Sequence, residues 1–189
     1  KAAMICSRSQ PTILRPKPSY LLCTMPRSGS TLLCGLLAAT RCAGNPESHV
    51  HQPALDSWMQ AFDLRKDPQA TERQALTQVF EAARVFGTGQ TGLFGLRMQQ
   101  HSFGYFLSAL RLLHPDQPTD AARIAAIFGR TLFIHLSRED KLAQAISRVR
   151  AAQSGLWHRA PNGDEIERLS APQELAYNRN AIARHFISE

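Results

Sequence analysis

Arg27, Ser28, Gly29, Ser30 and Thr31 stand in one run, and as a set they suit the holding of an oxyanion. An arginine fork binds two oxygens at once, and a glycine lets the backbone turn sharply. Apolar residues precede the run (Tyr20-Leu-Leu-Cys) and follow it (Leu32-Leu-Cys-Gly-Leu-Leu37). The expected order is therefore buried strand, tight turn, then a helix opening on two hydroxyl residues, with Ser30 as N-cap. Unpaired backbone N–H groups and the positive end of a helix dipole then meet beside a cation. Such a place fits a phosphate or sulfate group, and a phosphorylated small molecule is the expected ligand class.

Two more constellations belong with the first. Arg138 follows an apolar run at 131–136, where a strand end would turn it toward the same ligand; Ser147, further along the next helix, can add a hydroxyl. For Lys141 and Arg150 a solvated basic helix face is the better expectation. The turn-rich stretch 41–52 carries Glu47, His49 and His51, any of which could take a proton from an attacking hydroxyl. His49 and His51 have no Cys, Asp or Glu at metal spacing, so no metal is expected. Neither Gly-x-x-x-x-Gly-Lys-Ser/Thr nor Gly-x-Gly-x-x-Gly is present. The stretch Gly87-Thr-Gly-Gln-Thr-Gly92 reads as a turn and not a phosphate loop. No cysteine stands at phosphatase spacing from an arginine.

The elements that must position these residues alternate. Strands are expected at 21–25, 93–98 and 131–136, with Arg97 near the end of the second. Helices are expected at 30–40, 53–62, 71–86, 101–113, 120–128 (capped by Asp120), 140–154 and 172–186, with a break at 161–163. Strands spaced by helices imply right-handed crossovers and an α/β fold, a parallel sheet with helices on both faces. Residues 1–18 read as a loose leader and 19–189 as one domain.

Composition narrows the partner. The 189 residues carry 22 Lys+Arg against 15 Asp+Glu, a net charge of +7. The arginines are scattered, with neither a dense basic block nor an aromatic-basic RNA signature, so an anionic small molecule is expected ahead of nucleic acid. The four cysteines form no CxxC pair. Cys23 and Cys34 are expected as buried free thiols, consistent with a reduced, cytoplasmic setting. No apolar run reaches membrane-spanning length.

Pro26-Arg27-Ser28-Gly29-Ser30-Thr31 resembles the 5′-phosphosulfate loop of sulfotransferases that use 3′-phosphoadenylyl sulfate (PAPS), and Arg138 with Ser147 resembles their 3′-phosphate pair. The stretch from Leu132 through Gln144-Ala-Ile-Ser147 to Trp157, with Ala43-Gly-Asn-Pro-Glu-Ser48, is similar to bacterial trehalose 2-sulfotransferase and lipopolysaccharide sulfotransferase-like enzymes. The likeness covers roughly residues 20–157.

It implies a P-loop-like three-layer fold and metal-free transfer of a sulfuryl group to a carbohydrate or glycolipid hydroxyl. It also implies a homodimer without a membrane span, compatible with contact at a membrane surface. Arg27, Ser28, Gly29, Ser30, Thr31, Arg138 and Ser147 are then donor-binding. Glu47 is the first choice of general base, although the group's acid aligns one position later, at Ser48; His49 and His51 are the alternatives. Arg97 matches a family lysine and faces acceptor or sulfate, unless it makes a structural ion pair. Trp157 stacks on a sugar or packs the core. Relatives continue beyond the position of Glu189, so a C-terminal portion of the domain is expected to be missing. Two other classes stay open: a P-loop-like kinase or nucleotide hydrolase, and a non-enzymatic basic module for anions or nucleic acid.

Overall fold

The computed structural model describes residues 18–159 and 162–188. Nearly all of the expected leader, and part of the expected break at 161–163, lie outside the described residues. Strand β1 (Ser19–Thr24) is the middle of a three-stranded parallel sheet, between β2 (Phe94–Gln99) and β3 (Thr131–Leu136). Parallel neighbours need long crossovers. Helices α1 (Ser30–Ala39), α2 (Leu55–Ala61) and α3 (Glu72–Thr88) fill the first; α4 (Gln100–Leu113) and α5 (Asp120–Phe128) fill the second. The register is flush: Ser19 pairs with Phe94 and Thr131, and Thr24 with Gln99 and Leu136. All three strands therefore end at one level, and the loops leaving them meet along one edge.

Strand alternation divides the side chains of β1 between two faces. Leu21 joins Leu96 and Met98 of β2 in a core with Trp58, Leu76, Val79, Phe80, Phe106 and Phe128 from α2 to α5. Phe94 stacks on Phe128 at 4.6 Å, and Phe80 meets Phe106 and Phe128 edge-on. Tyr20 and Leu22 point to the other side and are as thoroughly buried. Strand β3 is a sheet edge, and Leu132, Phe133 and Ile134 stay partly exposed. The apolar pattern that marks it as a strand says nothing of how well it is covered.

Caps fix several boundaries. Thr71 and Gln74 form a reciprocal capping box on α3. Thr119, rather than the expected Asp120, caps α5, which leaves Asp120 free to pair with Arg111 and Arg123. Gly29, rather than Ser30, is the N-cap of α1. Asp140 caps α6 (Lys141–Ser154) through the Ala143 N–H at 2.8 Å. Cys34 is a buried free thiol, Cys23 a half-buried one, and Cys42 is exposed.

The chain after α6 departs from expectation. Instead of a long helix from Pro172, β4 (Leu156–Arg159) and β5 (Glu165–Arg168) form an antiparallel hairpin that reverses across the expected break, and only α7 (Arg179–Ser188) is helical. Side-chain competition keeps residues 173–178 out of the helix. The Gln153 amide both donates to the Ala176 carbonyl and accepts from its N–H, while the Gln153 carbonyl accepts from Gln173. Gly155 ends α6 at φ 69°, and a Cβ there would lie 2.2 Å from the Ser170 carbonyl oxygen, so only glycine lets the hairpin's base close.

The Tyr20 hydroxyl donates to the Ala43 carbonyl at 2.7 Å and so pins the stretch after α1 to β1. Burial pushes this phenol up to about 12. Tyr20→Phe leaves that carbonyl without its partner. We expect a loss of about 1–2 kcal/mol in urea unfolding with an unchanged m-value; an unchanged midpoint would contradict the anchor.

Candidate active site

The turn between β1 and α1 has unusual backbone geometry for its residues. Arg27 adopts φ 66° and Gly29 φ 89°. Glycine takes that conformation freely, whereas arginine is strained in it by about 1–3 kcal/mol and stays only because its surroundings hold it. Three contacts do so. Gln144 of α6, fully buried, donates to the Pro26 carbonyl at 2.9 Å. Arg27 Nε donates to Ser147 Oγ at 2.9 Å, and Arg27 Nη1 donates to the Trp157 carbonyl. Burial first, then the neighbouring Arg138 cation, pulls the Arg27 value down, and Glu167 offsets part of this. An anion placed here would relieve that repulsion.

No side chain caps α1, so the N–H groups of its first turn stay open to a ligand. Ser28 Oγ is buried without a hydrogen-bond partner. An orphaned hydroxyl in a strained arginine turn at a helix start fits an oxyanion with several acceptor oxygens. The donor set present therefore suits a phosphate or sulfate group.

Arg97 closes the second side. It leaves β2 at the level of Leu22, and its Nη1 donates to Thr31 Oγ1 at 2.7 Å and, at 3.4 Å, to Ser30 Oγ. Its Nε donates to Ser48 Oγ at 2.8 Å, and its backbone N–H to the Glu47 carbonyl at 3.1 Å. It thus ties the 41–52 stretch to the first turn of α1 through hydroxyls, rather than through the ion pair that was the alternative reading. Gly44 (φ 72°) lies so close to Leu93 that a Cβ would stand 2.3 Å from its carbonyl oxygen, which fixes the approach of the loop. The Glu47 side chain is exposed at this rim.

The two histidines of that stretch differ. His49 is buried against Phe62 and Phe86, and its Nε2 donates to the Asn45 carbonyl at 3.1 Å. His51 stands edge-on to His101 at 4.7 Å, with its Nδ1 buried and unpartnered and its carbonyl accepting from Ser102. Burial lowers both values; at His51 the facing His101 adds to this.

Arg27 is thus bonded to Ser147, and Arg97 to Ser30 and Thr31, with Arg138 close enough to act on Arg27. Trp157 enters through its backbone carbonyl, half-buried as a side chain. Sequence reasoning missed Gln144 and His158. Gln144 lies on the helix of Ser147, but its role depends on a tertiary contact with the Pro26 carbonyl. His158 lies on the hairpin that was not foreseen, and its Nε2 is 3.2 Å from Thr31 Oγ1. Among the described residues there is no group of three or more His, Cys, Asp or Glu that could hold a metal ion, and no helix long and apolar enough to cross a membrane.

A family model described as Stf0 sulphotransferase matches residues 19–188. Trehalose 2-sulfotransferase of Mycobacterium tuberculosis (strain ATCC 35801 / TMC 107 / Erdman) is 28% identical over 188 residues, which take in 89% of this chain and 67% of the relative.

Burial holds His49, His51, His101 and His158 below the ordinary histidine value. The unfolded chain, titrating near 6.5, then binds more protons than the folded one, so stability falls as pH drops below about 6.5. Denaturant midpoints at pH 7.5 and 5.5 should show this loss, and His49→Gln should flatten it. Equal slopes in the two proteins would contradict the buried, neutral His49.

Proposed function

Because this chain belongs to the Stf0 sulphotransferase family and is a sulfotransferase enzyme, we propose that it moves a sulfuryl group from PAPS to a hydroxyl of a carbohydrate or glycolipid. The observation that carries the donor reading is the strained Arg27 turn. It carries Arg27 and the orphaned Ser28 hydroxyl directly ahead of the uncapped first turn of α1, which supports this reading.

When bound, the donor supplies an activated sulfuryl group on a phosphate leaving group. Residues 28–31 offer fixed N–H and O–H donors to the charge that builds on the equatorial and departing oxygens. Arg27 adds a bidentate cation, and Arg138 with Ser147 holds the nucleotide's 3′-phosphate. Arg97 keeps Ser30 and Thr31 oriented and faces the sulfuryl oxygens. Fixed cations and hydroxyls do this work without a metal.

The acceptor lies across from this seat, against the 41–86 region. There Glu47, exposed beside the Arg97-held Ser48, takes the proton of the attacking hydroxyl. His49 is the weaker choice because its ring is buried and already bonded to Asn45. His51 and Trp157 are placed with the acceptor. A sugar acceptor is supported by the name of the mycobacterial relative; a lipopolysaccharide or other glycolipid extends the same chemistry. The protein acts in the cytoplasm as a homodimer, and the edge strand β3, with Leu132 and Ile134 partly exposed on one face and Phe133 on the other, offers apolar surface for association.

Adenosine 3′,5′-bisphosphate without metal should raise the melting temperature, whereas ATP with Mg²⁺ or an oligonucleotide should not; stabilisation by Mg·ATP alone would overturn the donor reading. Arg27→Ala and Arg138→Ala should each weaken bisphosphate binding about a hundredfold. In Glu47→Gln the bisphosphate should still bind while transfer from PAPS falls about 10²–10⁴-fold. Undiminished transfer in that variant would return the base to His49 or His51.

A further inference from the structure

His158 on β4 borders the first turn of α1 and has no part in the scheme above. Its Nε2 lies 3.2 Å from Thr31 Oγ1 and 3.1 Å from Glu167 Oε2. One ring nitrogen cannot serve both partners in the same way. In the neutral Nδ1–H tautomer it accepts the Thr31 hydroxyl hydrogen and faces the Glu167 carboxylate unpaired. With a proton it donates toward Glu167 and no longer needs that hydrogen. Thr31 Oγ1 meanwhile accepts from Arg97 Nη1 at 2.7 Å, so its single hydrogen has one destination at a time: the ring or a bound anion.

We propose that His158, backed by Glu167, is a positioning residue of the donor seat, and that its protonation turns the Thr31 hydroxyl from the ring to the bound anion. This rests on the donor reading above. Four groups face the imidazole: Thr31 from α1, Glu167 from β5, Arg27 from the turn and Arg97 from β2. Burial disfavours the imidazolium in the ligand-free protein, and Arg27 and Arg97 add to this against the opposing Glu167. A polyanion between those arginines offsets their repulsion, and the ring then takes a proton from solvent. Binding is thereby coupled to uptake of up to one proton, and affinity falls as pH rises past the His158 value of the ligand-free protein.

The test is calorimetric titration of adenosine 3′,5′-bisphosphate in buffers of differing ionisation enthalpy, between pH 6 and 8.5. Wild type, His158→Gln and Glu167→Gln are compared. The phosphates' own titration near pH 6 is common to the three proteins and cancels in the comparison. Wild type should take up more protons than His158→Gln. The variant should bind about tenfold more weakly at the acid end and match wild type at the alkaline end. Glu167 is a partly exposed hairpin residue, so Glu167→Gln keeps the fold while it lowers proton uptake. Equal proton counts in wild type and His158→Gln, or a wild-type pH profile in Glu167→Gln, would overturn the role of His158 and leave the donor reading standing. A wild-type protein that does not bind the bisphosphate would overturn the donor reading and this role with it.

Discussion

The left-handed conformation of Arg27 is the constraint on which the site depends. An unsupported arginine would leave that conformation, because strain there amounts to about 1–3 kcal/mol. It is held from outside the turn: Gln144 grips the preceding carbonyl, Ser147 meets the guanidinium, and the Trp157 carbonyl closes the third side. These groups come from α6 and the hairpin after it, more than a hundred residues away in sequence. The proposed anion seat is thus the junction of the first crossover and α6, the helix that follows β3. It cannot be finished until β3 has paired with β1.

The flush register gives that junction its geometry. With Thr24, Gln99 and Leu136 ending level, the Arg27 turn, the Arg97 side chain and the stretch leading to Arg138 converge without long reaches. Two tight backbone contacts do comparable work at the rim. Gly44 presses on Leu93, and Gly95 lies under the Tyr20 ring, where a Cβ would meet Tyr20 Oη at 2.6 Å. Together they set the loop that carries Glu47 and Ser48 against β2. The site's positive character follows from Arg27, Arg97 and Arg138 standing near one another with Glu167 as counter-charge.

Much of this was readable from the chain alone. Periodicity and flanking glycines placed β3 and the end of α5 to the residue, because apolar spacing and a Gly129 stop are local signals, while the α5 cap fell one residue earlier, at Thr119. The strand, turn and helix over 19–39 were readable for the same reason, since their residues are contiguous. Long-range events were not. The Gln153 clasp suppresses a helix at 173–178 that local spacing favours, and the β4–β5 hairpin follows from where α6 ends, not from a strong strand pattern. His158 escaped notice because a lone histidine on a short strand carries no signal until the fold sets it beside Thr31. His49 and His51 read alike in sequence but differ in environment, one packed between Phe62 and Phe86 and the other against His101.

The central claim, that residues 26–31 seat the donor's phosphosulfate, is tested most directly by backbone amide NMR during titration with adenosine 3′,5′-bisphosphate. The account predicts that the amides of Ser28, Gly29, Ser30 and Thr31 shift first and furthest, together with the Arg27 side-chain Nε–H. Saturable shifts elsewhere, with these amides unmoved, would contradict it.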